Sequence, residues 1–539
     1  MSLAPQTTSW AIRLGDQSAT EHLAAVLARE ARAGDVITLS GDLGAGKTTF
    51  ARAFVRAFVG DSKLDVPSPT FTLMQIYECP RGNVVHADLY RIHDPLELDE
   101  LGWDEAIDGA VVLVEWPDRA GDCLGGNRLD INMRLVPGAD DERIAVITAF
   151  GEQAPRLAAL KALRMVIDRA GWGHAERQAI YGDASSRLYE RLTSPDGETA
   201  ILMISPPRPR APVFRSEKPY HVAARLSESV HAFVAVDRGL RALGLSAPVI
   251  YGQDLDTGLL LVEDFGSEGV VDAAGPIADR YAEAVRVLVR LHTSPVPDRL
   301  PVVDGVEHVV PPYDLDAMMI EVGLLLEWYL PHLAGRFVPH SGRANFDRIW
   351  AGLLRGVSGA SDENPGLLGS EDGTRADRTW ILRDFHSPNL IWLKEREGIG
   401  RIGLIDFQDA VMGHPAYDLA SLLQDARVTV PPELELKLLA LYAHERRARD
   451  PAFDAQAFIR AYAILGAQRA TKLFGLFVRL DRRDGKPAYL AHLPRIGVYL
   501  LRNLRHPALA ELKNWFETHV PQIVNEGSEQ DNVADGDRG

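Results

Sequence analysis

Cysteine is scarce in this chain of 539 residues, which carries only Cys79 and Cys123. Two cysteines cannot form the disulfide framework of a small secreted protein, and they lack the paired spacing of a zinc site. No run reaches the roughly 18 uninterrupted apolar residues of a membrane-spanning helix. Even the apolar stretch 461–477 is interrupted by Arg469 and Lys472. We therefore expect a reducing environment and no contact with a membrane.

An excess of positive charge is also missing. The chain has 58 Lys and Arg against 75 Asp and Glu, a net charge of −17. Such a surface repels polyanions, so extensive direct binding of nucleic acid is disfavoured. The first residues show no basic start followed by an apolar core, so we expect no secretory signal and a cytoplasmic protein. Hydrophobic residues make up 46% and charged residues 25%, which excludes a largely disordered chain.

The chain divides into a first block and a larger second block. Short apolar runs alternate with helical periodicity in the first block, which predicts an α/β domain. Buried strands are predicted at 35–40, 84–86, 111–114, 130–136 and 143–150. The composition changes after these strands, so we place the end of the first domain at residue 151.

The second block places its strands before most of its helices. A helix at 155–169 precedes strand candidates at 188–191 and 199–204, and the turn Ser194-Pro195-Asp196-Gly197 joins those two as a hairpin. Further elements are predicted as a helix at 222–243 and strands at 249–251 and 259–263. This pattern predicts an α+β, two-lobed domain with lobes at 152–264 and 265–524, an inserted loop at 361–378 and a disordered acidic tail at 525–539.

A glycine-rich motif, G-x-x-x-x-G-K-[ST], occupies residues 41–48 between a predicted strand and a predicted helix. Glycines let backbone amides converge on a phosphate, and the start of the helix adds the positive end of its dipole. Lys47 would neutralise the outer phosphates, and the Thr48 hydroxyl can bind Mg²⁺. The residues expected to contact the nucleotide here are Gly41, Asp42, Leu43, Gly44, Ala45, Gly46, Lys47, Thr48 and Thr49.

A nucleotide-hydrolysing site needs an acidic group near the metal and the attacking water. Glu115 ends the predicted strand 111–114, and Asp88 follows the strand 84–86. An acidic residue at the end of a strand is usually only solvated. The placement of two such residues after neighbouring buried strands favours a role at the metal or the water.

Four segments in order carry a family resemblance: GDLGAGKTTF at 41–50, PSPTF at 67–71, HADLYRI at 86–92 and VEWPDR at 114–119. Over residues 10–150 the chain resembles the TsaE-type ATPases of tRNA threonylcarbamoyladenosine synthesis. The resemblance implies an α/β P-loop NTPase domain that uses ATP and Mg²⁺. It also implies partner subunits of the TsaB and TsaD type, which modify position 37 of the tRNA. The chain would then touch tRNA only through its partners, in agreement with its acidic surface.

The same resemblance assigns individual roles. Lys47 and Thr48 would hold phosphate and Mg²⁺, and residues 68–70 would form a switch-like loop. Asp88 and Glu115 would serve the metal or the water, and Trp116 would cover the nucleotide.

A second motif has the D-x-x-x-x-N spacing of a kinase catalytic loop, from Asp384 to Asn389, with Arg383 before it. Asp406 follows the next apolar run. In phosphoryl transfer the first Asp accepts the hydroxyl proton, while the Asn and the second Asp hold Mg²⁺. The spacing alone occurs readily by chance. The ordered set of three residues, each beside a predicted strand, favours catalysis.

Residues 170–515 resemble the aminoglycoside phosphotransferase-like kinases through RDFHSPNLIWL at 383–393 and LIDFQDAVMGHPAYDLASLL at 404–423. The similarity is greatest to the anomeric kinases of N-acetylmuramate and N-acetylglucosamine used in cell-wall recycling. It implies that Asp384 is the base and that Asn389 and Asp406 bind metal. Asp418 would support the catalytic loop through hydrogen bonds.

The resemblance also implies a loop over the ATP phosphates at 182–187, including Ser185, Ser186 and Arg187, and an adenine-binding hinge at 260–264, including Glu263. One departure is the strand 199–204, which has no lysine where kinase-like folds commonly place one. Arg187 is a candidate for the missing cation, and the alternative is that it is a solvated loop residue.

The sequence therefore indicates a fusion of two enzymes: an ATPase acting in tRNA modification and an ATP-dependent amino-sugar kinase. Two alternatives concern the second domain. It could phosphorylate an aminoglycoside or another small molecule, which for a polycation requires a strongly acidic pocket. It could also be a non-catalytic kinase-like module that regulates the ATPase, as the missing lysine would suggest.

Overall fold

The computed structural model describes residues 7–180, 187–206, 220–227, 229–358 and 378–523. Its contacts divide the chain into two compact units, Met1–Asp168 and Arg169–Gly539. The predicted phosphate-loop residues Ser185 and Ser186 lie outside the described residues, as do nearly all of the expected loop insertion at 361–378 and the whole expected tail at 525–539. No helix in the described ranges combines the length and the apolar character needed to cross a membrane.

The first unit is a sheet with helices on both faces. Its elements in chain order are β1 (Thr7–Leu14), α1 (Gln17–Glu30), β2 (Val36–Ser40), α2 (Lys47–Val59), β3 (Met74–Tyr77), β4 (Val84–Asp88), α3 (Glu97–Glu100), α4 (Trp103–Ile107), β5 (Val111–Glu115), β6 (Leu129–Val136), β7 (Ala139–Phe150) and α5 (Gln153–Arg169). The strand order is β1-β7-β6-β2-β5-β4-β3. The central strands β6, β2, β5 and β4 are parallel, whereas β1, β7 and β3 run antiparallel to their neighbours.

The alternation of side chains along β5 explains why its sequence is continuously apolar. Val111 and Leu113 pack with α1 and α2 on one face, and Val112 and Val114 pack with α3 and α4 on the other. Successive residues of a strand point to opposite faces, so a strand covered on both sides is apolar at every position. The carboxyl ends of β2, β4 and β5 meet at one edge of the sheet, where phosphate sites of α/β folds form.

Helix α5 belongs almost entirely to the first unit. The sequence placed the boundary after residue 151, whereas the structure divides the chain after Asp168. Leu157 and Leu160 of α5 join the core of the first unit. Arg156 also holds Asp35 with two hydrogen bonds of 2.7 and 2.9 Å. The apolar face of this helix is therefore buried against the sheet that precedes it.

The second unit opens with an antiparallel sheet in the order β11-β12-β10-β9-β8. The elements up to residue 276 are β8 (Glu176–Ile180), β9 (Leu188–Thr193), β10 (Thr199–Ile204), α6 (Tyr220–Ala223), α7 (Val230–Ala242), β11 (Ile250–Asp254), β12 (Leu259–Glu263), β13 (Val271–Asp272) and β14 (Gly275–Pro276).

The rest of this unit is mainly helical. It contains α8 (Ala278–Thr293), β15 (Arg299–Val303), β16 (Val306–Val309), α9 (Leu315–Leu324), α10 (Leu330–His332), α11 (His340–Ser358), β17 (Thr379–Ile381), β18 (Leu390–Trp392), β19 (Ile402–Leu404), β20 (Val411–Gly413), α12 (Ala416–Leu423), α13 (Pro432–Arg449), α14 (Ala455–Asp484), α15 (Leu493–Leu504) and α16 (Ala510–His519). The short pairs β17–β20 and β18–β19 flank the loop that carries the second motif.

Some elements differ from the sequence prediction. The single helix expected at 222–243 is wrong in its first part, because α7 begins at Val230 behind Ser229, whose side chain accepts a hydrogen bond from a backbone amide of the first turn. That N-cap satisfies a free helix-end amide and fixes where the helix starts. The edge strands β1, β3 and β8 were not predicted.

Candidate active sites

The glycine-rich loop of the first unit connects β2 to α2. Gly46 precedes α2 with a φ of 101°, and Gly41 has a φ of 131°. A Cβ atom on Gly41 would overlap the backbone carbonyl oxygen of Met133 on β6. Only glycine combines this backbone conformation with such a close approach. The amino end of α2 is thereby directed at the edge of the sheet where phosphate would bind.

Lys47 is 5% exposed and lies inside this loop. Its Nζ donates hydrogen bonds to the carbonyl oxygens of Gly41 (2.8 Å) and Asp42 (2.9 Å), and it lies 3.9 Å from the centre of the Trp116 ring. Burial lowers the pKa of Lys47, while the charges of Glu115 and nearby carboxylates oppose that shift. The structure thus brings the predicted lysine and the predicted covering tryptophan together.

Glu115, the last residue of β5, contacts both the glycine-rich motif and the neighbouring strand β4. Its Oε2 accepts a hydrogen bond of 3.0 Å from Thr48 Oγ1, and its Oε1 lies 3.0 Å from His86 Nε2. Both Glu115 and His86 are buried, and the remaining His86 nitrogen, Nδ1, has no partner among the described residues. Sequence reasoning missed His86. The available signal was the strand period, because His86 and Asp88 point to the same side of β4.

Asp88 lies beside Glu115 in the register of β4 and β5. Its carboxylate accepts hydrogen bonds from the hydroxyls of Ser68 (2.9 Å) and Thr70 (3.0 Å), and from the Tyr90 amide (3.1 Å). The predicted 68–70 loop is therefore attached to the predicted acid. Of the other loop residues, Leu43 is 82% exposed, Ala45 is buried, Gly44 has a positive φ and Thr49 lies in the first turn of α2.

In the second unit, Asp418 holds the backbone just before Asp384. The Asp418 carboxylate accepts hydrogen bonds from the amides of Leu382 (2.6 Å) and Arg383 (2.9 Å). Arg383 has a φ of 64°, which is unusual outside glycine and marks a constrained turn. Burial raises the pKa of Asp418 to about 7, against the two amide hydrogen bonds that lower it.

Three predicted residues converge after this turn. Asn389 Nδ2 donates to the backbone oxygen of Asp384 at 3.0 Å and to Asp406 Oδ2 at 3.5 Å. The side chains of Asp384 and Asp406 are 45% and 43% exposed, so both carboxylates are open to a ligand. The amide nitrogen of Asn389 is used internally, which leaves its oxygen available to a cation.

The electrostatic surroundings keep Asp384 ionised. Burial tends to raise its pKa, but the positive charges of His386 and Lys472, followed by those of Arg383 and Arg469, bring the pKa below its usual value. Many protein atoms surround Asp384, but nearly half of its side-chain surface remains exposed to solvent. A carboxylate in this state can accept a proton from a hydroxyl group placed against it.

Arg187, which directly precedes β9 of the five-stranded sheet, contacts the group formed by Asp384, Asn389 and Asp406. Its Nη1 lies 3.5 Å from Asp406 Oδ1, and Gln408 Nε2 donates to the same oxygen at 2.7 Å. The structure therefore places Arg187 next to a predicted metal ligand, although it comes from a different lobe. Gln408 was not identified from the sequence, because its position two residues after Asp406 matches no motif.

Glu263 lies in the segment 260–264 that is predicted to be the adenine-binding hinge. It ends β12, and its side chain binds Arg396 (Oε1 to Nη2, 2.6 Å) and the amide of Val249 (3.1 Å). These contacts engage the carboxylate within the fold.

A buried ionic network, also missed from the sequence, supports the catalytic turn. Glu321 on α9 pairs with Arg383 and, at 2.8 Å, with Lys472 on α14. The second carboxylate oxygen of Glu321 accepts from Tyr313 and, at 3.0 Å, from Gln468. Glu321 and Arg383 are almost completely buried, so each charge depends on the other.

The donor sets of both sites fit Mg²⁺ bound together with phosphate. Mg²⁺ prefers oxygen ligands and is usually held by one or two carboxylates plus phosphates and water. Thr48 and Glu115 supply a hydroxyl and a carboxylate in one site, and Asn389 and Asp406 supply an amide oxygen and a carboxylate in the other. The described parts of the chain hold no cluster of three His, Cys, Asp or Glu that would form a complete protein cage.

A phosphate-binding loop facing strand-end acids defines a P-loop NTPase in the first unit. An Asp-Asn-Asp set beside the short antiparallel pairs β17–β20 and β18–β19 defines a kinase-type phosphotransferase in the second. The chain belongs to the phosphotransferase enzyme family, whose model matches residues 176–452, and its first unit belongs to the family of the threonylcarbamoyl adenosine biosynthesis protein TsaE, whose model matches residues 14–143. Both resemblances and the fold class inferred from the sequence are confirmed.

Individual relatives cover each part. The N-acetylmuramate/N-acetylglucosamine kinase of Caulobacter vibrioides is 37% identical over 363 residues, covering 65% of this chain and 94% of that protein. The tRNA threonylcarbamoyladenosine biosynthesis protein TsaE of Rickettsia typhi is 37% identical over 123 residues, covering 23% of this chain and 85% of that protein. Among solved structures, Bacillus subtilis YdiB shares 32% identity with a TM-score of 0.24, covering 30% of this chain and 99% of that chain.

Proposed function

We propose that this chain is bifunctional: an ATPase that supports threonylcarbamoyladenosine formation at position 37 of tRNA, and an ATP-dependent kinase of N-acetylmuramate and N-acetylglucosamine. Both activities would use Mg²⁺ in the cytoplasm. The relatives that cover the two units are named tRNA threonylcarbamoyladenosine biosynthesis protein TsaE and N-acetylmuramate/N-acetylglucosamine kinase. The observation that carries the kinase assignment is the convergence of Asp384, Asn389 and Asp406.

In the kinase, Asp384 would accept the proton of the anomeric hydroxyl as that oxygen attacks the terminal phosphorus of ATP. The new bond joins the sugar oxygen to phosphorus, the bond from phosphorus to the ADP oxygen breaks, and the products are sugar 1-phosphate and ADP. Asn389 and Asp406 would hold Mg²⁺, which neutralises phosphate charge when bound. Arg187 would add a positive charge beside Asp406, in the role of the lysine absent from β10.

In the ATPase, the amides of the glycine-rich loop and Lys47 would bind the phosphates, and Thr48 and Glu115 would hold Mg²⁺. Asp88, with its attached loop at 68–70, would position the attacking water or respond to the terminal phosphate. His86 would orient the Glu115 carboxylate. Partner subunits of the TsaB and TsaD type would contact the tRNA, in agreement with the net charge of −17.

Two observations weigh against the alternatives for the second unit. An aminoglycoside is a polycation and needs an acidic pocket, whereas Lys472, Arg383 and Arg469 all act as positive charges on Asp384. A non-catalytic module was suggested by the missing lysine, but Arg187 supplies a cation within 3.5 Å of Asp406.

Transfer of labelled phosphate from ATP to each sugar tests the kinase assignment. Asp384→Asn removes the base but keeps the shape, and turnover should fall by about 10²- to 10⁴-fold. Asp256→Asn changes an exposed acid of the same unit and should leave turnover unchanged. Unchanged turnover in Asp384→Asn would refute its role as the base. Transfer to an aminoglycoside instead of the sugars would refute the substrate assignment.

A further inference from the structure

A buried carboxylate outside the sequence motifs holds the middle of the catalytic loop. Asp425 follows α12 by two residues and is completely buried. Its Oδ2 accepts hydrogen bonds from the amide (2.8 Å) and the hydroxyl (2.5 Å) of Ser387, and its Oδ1 accepts one of 2.8 Å from the amide of Arg427. Ser387 lies between Asp384 and Asn389 in the sequence. Asp425 therefore contacts the part of the loop that separates the proposed base from a proposed metal ligand.

Asp425 completes a row of polar contacts between one segment of the chain and the catalytic loop. Asp418 accepts a hydrogen bond of 2.9 Å from the amide of Arg383, and Ser421 Oγ donates one of 3.1 Å to the carbonyl oxygen of the same residue. Asp418, Ser421 and Asp425 follow one another at intervals of three and four residues, the spacing that places side chains on one face of a helix. The segment 416–425 thus supports the loop at its start and again at its middle.

The support at Ser387 lies at the beginning of a short helical turn. A 3-10 turn covers Ser387–Asn389, and the amide of Asn389 donates to the carbonyl oxygen of His386 at 2.9 Å. The first amides of a helical turn have no acceptor within the turn, so an acidic side chain that accepts from them acts as a cap. Asp425 supplies this cap from outside the loop. Its contact with the Ser387 amide therefore orients the turn that carries Asn389.

The orientation of this turn decides where the side chain of Asn389 lies. Asn389 Nδ2 donates to the backbone oxygen of Asp384 at 3.0 Å and to Asp406 Oδ2 at 3.5 Å. A tilt of the turn would move the amide group of Asn389 relative to the Asp406 carboxylate. Mg²⁺ requires near-ideal octahedral geometry, so a small displacement of one of its ligands weakens its binding.

Both oxygens of Asp425 are needed as acceptors. Oδ2 and Oδ1 face the backbone amides of Ser387 and Arg427, and a backbone amide can only donate. In Asp425→Asn the side-chain NH₂ group would have to face one of these amides, so one hydrogen bond is lost although the volume hardly changes. This substitution therefore loosens the turn without creating a cavity.

We propose that Asp425 is a positioning residue of the kinase site, which orients the turn at 387–389 so that Asn389 and Asp406 can bind the Mg²⁺ that accompanies ATP. This inference rests on the proposed kinase function. It adds a residue that acts through Asn389 and has no contact of its own with the three converging side chains among the described hydrogen bonds.

The test is a double-mutant cycle on nucleotide affinity. Titration calorimetry with a non-hydrolysable ATP analogue and Mg²⁺ is carried out on the full chain carrying Lys47→Met, in which the kinase site alone binds nucleotide. Asp425→Asn should raise Kd by about 10- to 100-fold, the usual effect of removing a group that orients a metal ligand. Once Asn389→Ala is also present, Asp425→Asn should change Kd by less than about twofold, because the two residues act as one unit.

Two further variants complete the design. Ser387→Ala removes the hydroxyl contact but keeps the amide contact, so Kd should rise by a smaller factor, about threefold, for one lost hydrogen bond. This variant tests the inference even if Asp425→Asn fails to fold. Asp450→Asn is the matched control, since Asp450 also accepts a hydrogen bond from a backbone amide, that of Ala452 at 3.0 Å, but at an exposed turn after α13. Its Kd should equal that of the parent chain.

The outcomes separate the inference from the proposed function. An unchanged Kd in Asp425→Asn and Ser387→Ala would overturn the inference. An equal rise with and without Asn389→Ala would overturn it as well, because Asp425 would then support the fold as a whole. The expected Kd pattern without phosphate transfer to either sugar would refute the proposed sugar kinase and leave the inference standing. A chain carrying Lys47→Met that binds no nucleotide would refute both.

Discussion

Thr48 and Glu115 are joined by a hydrogen bond of 3.0 Å that links the start of α2 to the end of β5. The hydroxyl and the carboxylate proposed to hold Mg²⁺ in the ATPase are thus already adjacent. We predict that Thr48→Val, which keeps the volume but removes the hydroxyl, lowers ATP hydrolysis by about 10²-fold or more. Thr48→Ser should retain most of it. Phosphate release by the full chain carrying Asp384→Asn, without sugar, measures this activity alone, and full hydrolysis in Thr48→Val would contradict the assignment.

Gly41→Ala should inactivate the ATPase without changing any charged group. The added methyl group would overlap the Met133 carbonyl oxygen at a φ of 131°, so the glycine-rich loop has to move away from β6. We expect loss of nucleotide binding by the first unit and a lower melting temperature. Gly15→Ala is the control, since its methyl group would meet nothing within 4 Å. Nucleotide binding that survives in Gly41→Ala would show that this loop is not the phosphate site.

The two motifs could be predicted from the sequence because their residues are close along the chain. Lys47 and Thr48 lie within one turn and loop, and Asp384 and Asn389 are five residues apart, so local spacing already implies proximity. Glu115 and Asp88 could be placed because parallel strands end at one edge of a sheet. The apolar run of β5 signals a strand covered on both faces.

Some contacts between residues that are distant in sequence could not be predicted. His86 meets Glu115 across 29 residues, and Arg187 meets Asp406 across 219. The predicted boundary at residue 151 differs from the division after Asp168 for a related reason, because the amphipathic pattern of α5 does not reveal which sheet covers it.

Asp418→Asn should change how the stability of the second unit depends on pH. Burial raises the pKa of Asp418 to about 7 from its usual 3.8, so the folded state binds the proton more tightly than the unfolded chain. The stability it contributes is therefore fully present below pH 4 and is lost as pH rises toward 7. Relative to the Asn variant, the wild type should lose about 2 kcal/mol of stability between pH 5.5 and pH 8, since the loss amounts to about 1.4 kcal/mol per pH unit up to the folded pKa. Calorimetry at pH 5.5 and 8 measures the difference, and a difference that grows in the opposite direction would be contradictory.

Arg187→Met should weaken the use of ATP by the kinase. Its guanidinium lies 3.5 Å from Asp406, where the phosphates and metal are proposed to bind. We expect KM for ATP in sugar phosphorylation to rise by about tenfold, the effect of losing roughly 1.4 kcal/mol, with the KM for sugar nearly constant. Arg299→Met, a largely exposed position in the same unit, serves as the comparison. An unaffected KM for ATP would mean that Arg187 is a solvated loop residue.

Counting the nucleotides bound by one chain tests the two-site account most directly. Titration calorimetry with a non-hydrolysable ATP analogue and Mg²⁺ should give two molecules bound by the wild type and one each by Lys47→Met and Asp406→Asn. The double variant should bind none, and Lys63→Met, an exposed lysine of the first unit, should still bind two. A single bound nucleotide in the wild type, or one site abolished by either substitution, would contradict the presence of two independent active sites.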